Sequence, residues 1–268
     1  MTRRIKRSAD YELRLEIKNA GFIAPPREDQ RNWMLNRVMS EASSELEYIH
    51  SVAPGFIAGS QQPINVNRGN QVPDDQSIME DWQIPVMRAM ANSVAQCRGD
   101  ILEIGIGRGI ASDFIQDNNP RSHTLVECND GLFANMQSWK DLYPNSEIHL
   151  LHGKWQDCVT EDQQYDGILF HTYPLTEQEF VENVVQGVTF AEHFFDLASR
   201  LLRPGGAFTY LSNESDSLSR GHQRALFKCF DTVNLTLIEN LDIPVDSRDS
   251  LWLREIVHVV AGKSDDEI

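Results

Sequence analysis

The stretch ILEIGIGRG, residues 101–109, decides the fold. An apolar run passes into three glycines at alternate positions, Gly105, Gly107 and Gly109, and an apolar-periodic segment begins at Ile110. A strand that ends in glycines and leads directly into a helix is the first half of a parallel strand–helix–strand unit. Twenty residues beyond Gly107, Glu127 lies near the end of the next apolar run, SHTLVEC (122–128). Downstream, GLFANMQSWKDLY (131–143) reads as helix, and EIHLLHG (147–153) and YDGILFHTY (165–173) read as strands. A helical region is expected from Thr176 to Leu202, with a joint at Gly187. RPGG (203–206) reads as a turn, AFTYLS (207–212) as a strand and ALFKCF (225–230) as part of a helix. TVNLTLIENL (232–241) and LWLREIVHVVAG (251–262) form a closing hairpin. The expectation is an α/β fold, a Rossmann-like doubly wound mostly parallel sheet with a C-terminal antiparallel hairpin, plus a helical N-terminal extension.

Upstream of the glycines, Ile78, Trp82, Val86, Met90 and Val94 recur every four residues, one face of a helix. Pro85 interrupts this run, so a break is expected near Trp82–Ile84 and a fresh helix from Pro85. Residues 54–76 are rich in Pro, Gly, Asn and Gln and read as a loop or lid. Residues 1–53 read as a helical N-terminal extension: Met34, Val38, Ala42, Leu46 and Ile49 share one face, and a weaker stretch spans 11–19. Residues 77–268 are then the α/β domain.

Of the 268 residues, 24 are Lys or Arg and 40 are Asp or Glu, a net charge of −16. That balance argues against broad contact with nucleic acid, which needs cations to neutralise phosphates. The exception is residues 1–37, with nine basic residues against five acidic, read as a solvated helix face docked on an acidic body. No apolar run of about 18 residues is present to span a membrane. No apolar segment follows the basic start, and Cys97, Cys128, Cys158 and Cys229 form no CxxC pair. The chain reads as cytoplasmic, without a disulfide framework or a metal.

The glycines let the backbone turn tightly and approach a ligand, and Glu127 at the next strand end can accept hydrogen bonds from both hydroxyls of a ribose. Together they point to a nucleoside-containing cofactor at the carboxyl edge of the sheet. Two details favour S-adenosylmethionine over a dinucleotide. Position 110 is Ile where the dinucleotide fingerprint has its third glycine, and the acid Glu103 precedes the first glycine by two. In that class the acid helps hold the loop and the amino end of the cofactor.

The stretches IMEDWQIPVM (78–87), LEIGIGRGIA (102–111), VECNDGLF (126–133), GKWQD (153–157), YDGILFHTYPLTE (165–177) and RLLRPGGAFTY (200–210) occur in one order and at compatible spacing. On them, residues 77–263 resemble guanidinoacetate N-methyltransferase, a relative of the protein arginine methyltransferases. The resemblance implies that Met79 and Met87 flank the cofactor and that Ile106, Gly107, Arg108, Gly109, Ile110 and Ala111 wrap its methionine part. It implies that Glu127 holds the ribose, with Cys128 and Asn129 beside the adenine and Trp155 and Gln156 on its other face. His171 would meet the sulfonium and the acceptor, and Ser215 and Glu214 fall where the family binds its substrate's carboxylate.

The departures from the family are as informative. Gln83 stands where the family has the Glu of WETP, and His171 where it has the Asp of DTYPL. Glu214 replaces a small hydroxyl residue. A guanidinium is a cation with donors only and is best held by paired carboxylates, so guanidinoacetate is not carried over as substrate; Glu80 or Asp81 are the nearby acids able to replace the lost grip. The leading expectation is a methyltransferase acting on a small molecule, with S-adenosylhomocysteine as product, His171 as base or acceptor-orienting group, and Gln83 as its partner across the pocket. Met79 also falls on the acceptor side. The alternatives are a guanidino-compound N-methyltransferase with a rearranged grip and a non-catalytic module that binds the cofactor; a protein arginine methyltransferase is the weaker reading, for want of that family's paired-glutamate loop. The N-terminal region serves as a lid or as a homodimer contact.

Overall fold

The computed structural model describes residues 79–175, 179, 182–183, 189–212, 214, 217–243 and 256–264. The expected helices at 11–19 and 34–49, the loop at 54–76, and residues 251–255 of the last strand lie outside the described residues.

The described chain begins with a 3-10 turn, Asp81–Gln83, closed by a hydrogen bond from the Gln83 N–H to the Glu80 carbonyl (3.0 Å). Helix α1 (Ile84–Ala95) follows, with Pro85 in its first turn, where a missing N–H costs nothing. It buries Val86, Met87, Met90, Ala91 and Val94 on one face. Each of the larger four contributes about 1.5–3 kcal/mol by leaving water. Strand β1 (Asp100–Ile104) leads through the glycines into α2 (Ile110–Asp117), and β2 (Ser122–Glu127) leads into α3 (Asp130–Lys140). Then come β3 (Ile148–His152), the single turn α4 (Trp155–Cys158) and β4 (Tyr165–Phe170). A second 3-10 turn (Phe190–Phe194), α5 (Phe195–Leu201), β5 (Leu202–Ser212), α6 (Arg220–Cys229), β6 (Thr232–Ile238) and β7 (Ile256–Gly262) complete the order.

The seven strands form one sheet in the order β3-β2-β1-β4-β5-β7-β6. β1 pairs in parallel with β2 and β4, β2 with β3, and β4 with β5. β7 is antiparallel to both β5 and β6. The expected mixed sheet is therefore present, with its antiparallel pair at the C-terminal edge. The strand order reverses between β1 and β4, and ligands of such sheets bind where the carboxyl ends diverge.

Apolar layers cover both faces. On one, Leu102, Ile104, Ile168 and Phe208 meet Phe194, Phe195 and Leu201. On the other, Ile101 and Leu169 meet Val86, Met87 and Met90 of α1 and Ile115 of α2. At the amino edge, Arg121 pairs with Asp100 (2.5 Å) and Arg203 with Asp166 (2.7 Å). Arg121 holds the Asp100 carboxyl far below the ordinary carboxylate range, with Ser122 and Arg203 adding to it against burial.

One expectation changes. The RPGG segment does not end one element before a strand begins; β5 already starts at Leu202, which pairs with Tyr165, and the register slips before Gly167 meets Ala207. The reason is tertiary. The Gly205 N–H reaches the Lys263 carbonyl (3.2 Å) and the Lys263 N–H reaches the Gly206 carbonyl (3.3 Å), so the end of the chain continues the ladder that a free turn would lack.

Gly105 has φ +83°, and a methyl group on its Cα would overlap the carbonyl oxygen of His171. Gly105→Ala should therefore lower stability by about 2–4 kcal/mol, from left-handed strain plus overpacking. Chemical denaturation of the two proteins measures this, and an unchanged midpoint would mean that the loop yields freely.

Candidate cofactor and acceptor site

The pocket at the switch point is built from four chain segments. Ile104 and Gly105 end β1; Val126, Glu127 and Cys128 end β2. Gly153, Lys154, Trp155 and Gln156 lead into α4, and Thr172, Tyr173 and Leu175 follow β4, with Glu179 and Phe190 completing the wall.

Glu127 is its buried acid, 7% exposed. The Asn129 N–H donates to Oε1 (2.8 Å) and the Ile106 N–H to Oε2 (3.4 Å), so two backbone amides aim the carboxylate. Burial pushes this carboxyl up, and the amides of Asn129 and Ile106 offset only part of the push. Burial likewise raises the Cys128 thiol to about 11, with the Glu127 charge adding to it, so Cys128 is a neutral, unreactive wall. Trp155 stands edge-on to Phe194 (4.9 Å) and tilted against His193 (5.4 Å), which fixes its ring.

Of the residues expected to hold the cofactor, Gly105, Glu127, Cys128, Trp155 and Gln156 line this pocket. Ile106 contributes its N–H to Glu127, while its side chain packs with Leu125, Met136 and Ile148. Gly107 and Gly109 have φ +54° and +77° and shape the loop from which Ile110 and Ala111 start α2. Asn129 uses its side-chain oxygen to cap α3, accepting from the N–H groups of Gly131 (2.9 Å) and Leu132 (3.0 Å). Met79 and Met87 are buried in the cluster that joins α1 to Ala111 and Ile115 of α2. Arg108 turns to the Met79 carbonyl and Asp81.

Glu103 does not line the pocket. Its side chain is fully buried on the α2 face, where Ser112 donates to Oε2 (2.8 Å) and His123 Nε2 meets the same oxygen (3.0 Å). The Gln116 amide approaches His123 Nδ1 (2.9 Å), so Nε2 carries the proton given to Glu103.

On the acceptor side, His171 is the residue directly after β4. Its N–H donates to the Ile104 carbonyl (3.0 Å), which binds it to the last residue of β1. Its ring stands edge-on to Tyr173 (5.8 Å), and loss of water around it lowers the imidazole to about 4. Gln83, 4% exposed, ends the turn before α1. Glu214 points back into the fold: its Oε2 meets His222 Nδ1 (2.6 Å) and accepts the Ser219 N–H (3.1 Å). The fully buried His222 meets the Tyr210 hydroxyl through Nε2 (2.5 Å), making a chain of three side chains. Ser215 lies outside the described residues. Lys154, Thr172, Tyr173 and Leu175 sit within the GKWQD and HTYPL stretches and were within reach of the sequence; Glu179 and Phe190 carried no local signal.

These residues fit an S-adenosyl cofactor. A buried carboxylate, a glycine without a side chain and an indole wall are groups that a ribose and an adenine require. Among the described residues no cluster of three or more His, Cys, Asp or Glu side chains is placed to hold a metal ion. The family model described as guanidinoacetate N-methyltransferase matches residues 74–241, more than half of the chain. The chain belongs to that family. That family is one of S-adenosylmethionine-dependent methyltransferases. Curated relatives include protein arginine N-methyltransferase 2 of Eremothecium gossypii, 28% identical over 182 residues, covering 63% of this chain and 36% of that protein. The namesake from Emericella nidulans is 30% identical over 116 residues, 41% of this chain and 26% of the relative. The chain spans about a third of the length of the curated relatives it matches. Solved structures that resemble it include precorrin-6y C5,15-methyltransferase of Geobacter metallireducens, 13% identical with a TM-score of 0.48, covering 76% of this chain and all of that one.

The Tyr210–His222–Glu214 chain gives a pH prediction. Burial raises the Glu214 carboxyl, but the hydrogen bonds from His222 and Ser219 outweigh it, so the folded value lies below the ordinary one. The stabilisation is then present at neutral pH and lost as pH falls through the folded value. His222→Phe should cost about 1–3 kcal/mol at pH 7 by stranding Glu214 and Tyr210. Thermal melts of wild type and Glu214→Gln should differ at pH 7, and the difference should shrink only as pH falls below the ordinary carboxylate range; a difference lost already near neutral pH would break the assignment.

Proposed function

We propose that this methyltransferase acts on a small molecule whose accepting heteroatom reaches the site uncharged, with His171 as the proton acceptor or acceptor-orienting group and Gln83 as its partner across the pocket. The bound cofactor supplies an electrophilic methyl group for in-line displacement. The chain's own residues align the acceptor, exclude water and receive the proton.

The observation that carries this reading is that Gln83 and His171 stand where the resembled family has two carboxylates, while the nearby described acids Glu80, Asp81 and Glu214 are engaged by other groups. Glu80 accepts the Trp82 indole N–H (2.6 Å), and Asp81 pairs with Arg108 (2.6 Å). Glu214 is committed to His222 and Ser219. Charge arithmetic agrees. His171 lies near 4, whereas a guanidinium releases its proton above about 12. An imidazole held below its ordinary value is therefore a poor acceptor for a proton taken from a guanidinium before the methyl arrives. An acidic hydroxyl, an enol or a weakly basic nitrogen presents no such step.

A second reading keeps the guanidino nitrogen as acceptor, on a small molecule or an arginine side chain. The names of the family and of the curated relatives favour it. Its grip would then have to come from groups not matched to the family's pair, such as Glu179 at the pocket wall.

Release of S-adenosylhomocysteine is the test, with guanidinoacetate, arginine and an arginine-rich peptide beside a panel of hydroxy, carboxylic and amino acids. Turnover confined to the non-guanidines is expected, and turnover on any guanidine overturns the leading reading. On the accepted substrate, His171→Ala should lower kcat by about 100-fold or more. Because the neutral imidazole persists to low pH, the acidic limb of the wild-type profile should fall near pH 4 rather than 6.5. A limb at 6.5 would remove His171 from proton transfer.

A further inference from the structure

We propose that Arg108 is a positioning residue of the cofactor site, acting through Asp81. The inference rests on the cofactor crossing the glycine loop, and it is independent of which acceptor is methylated.

Arg108 lies between two glycines of left-handed conformation, Gly107 and Gly109, in a loop with little stiffness of its own. One nitrogen of its guanidinium, Nη1, donates both to the Met79 carbonyl (3.0 Å) and to Asp81 Oδ1 (2.6 Å). Asp81 opens the 3-10 turn that delivers Gln83 and then α1. The guanidinium therefore clamps the loop after β1 to the segment that leads into α1. Below the clamp, Met79, Trp82 and Met87 are buried with Ala111 and Ile115 of α2, so the apolar contact and the ion pair enforce the same spacing.

The energetics make this a device of geometry. The Arg108 side chain is 19% exposed and Asp81 66%, so solvent and salt screen the pair and its contribution to global stability is small. The loop it restrains holds Gly105 and the Ile106 N–H, which hydrogen-bonds Glu127. Displacement of the loop shifts the amide that aims the ribose-binding carboxylate, and affinity responds more steeply than folding.

The experiment measures S-adenosylhomocysteine dissociation constants by calorimetry for the full chain, Arg108→Met, Asp81→Asn and the double variant, with melting temperatures alongside. Each single variant should bind about 5–30-fold more weakly, the double variant no more weakly than the worse single one, and melting should move by no more than about 3 °C. Raising salt to about 0.5 M should weaken wild type towards the variants. Wild-type-like affinity in both single variants overturns the proposal. So does weak binding by Arg108→Met beside normal binding by Asp81→Asn, which would make Arg108 a direct ligand of the cofactor. Losses of affinity matched by a fall in melting temperature in Asp81→Asn, the exposed partner, would make the pair merely structural. Absence of binding by wild type would instead strike the assignment of the cofactor to this pocket.

Discussion

The close approach of Gly105 to the carbonyl of His171 is the constraint on which the site depends. β1 and β4 are neighbours in the sheet, and the chain leaves them in different directions: into the glycine loop after Ile104, and into the Thr172–Leu175 segment after Phe170. The His171 N–H still bonds to the Ile104 carbonyl, which carries the ladder one residue past the strand. The divergence can then begin only if the next residue of β1 has no side chain. A single backbone contact thus places the glycine loop and the residue that follows β4 against each other. No flexible side chain intervenes, so the spacing is set by the sheet itself.

Around that contact the polar groups are divided by edge. The amino edge holds the Arg121, Arg203, Asp100 and Asp166 network, where opposite charges meet and are used up. Within the layers, three buried histidines each work as hydrogen-bond linkers. His123 joins Glu103 to Gln116, His222 joins Tyr210 to Glu214, and His258 meets Thr209 (2.8 Å) and Ser93 (3.3 Å). These connect strands to helices at points where an apolar pair would leave the neighbouring polar atoms without partners. His171 differs from them in its place: it stands at the carboxyl edge and shares its ring environment with Tyr173.

Much of the fold was legible because its signals were local. The glycines, the alternation of apolar runs and Pro85 each report on their own few residues, and the strands and α1 begin or end within a few positions of where those signals put them. The start of β5 was not legible, since Leu202 through Gly206 extend only because Tyr165 and Lys263, distant in sequence, supply their partners. In the site, Gly105 and Glu127 occupy fixed places relative to strand ends, and both line the pocket. The partners of long polar side chains were not legible in local sequence. Glu103 turns to a histidine twenty positions away, Arg108 to a carbonyl twenty-nine positions back, and Glu214 to His222 on the next helix. Spacing marks a position in the sheet, but the direction of a long polar side chain is decided by its nearest unsatisfied partner.

That distinction bears on the acceptor. A site that grips a guanidinium must hold negative charge free of its own cations, in low dielectric, where each unpaired carboxylate is expensive to bury. Among the described residues, Glu80 meets an indole, Asp81 meets Arg108, Glu214 meets His222 and the Ser219 amide, and Glu179 at the pocket wall accepts the Leu175 N–H (2.7 Å). Glu127 lines the pocket, and two backbone amides fix its carboxylate. On the reading proposed above, Gln83 and His171 stand where the resembled family has two carboxylates, and loss of water around His171 favours its neutral form. On the same reading, neutral groups at these points lower the cost of keeping the site dry, and a dry neutral site suits an acceptor that arrives uncharged.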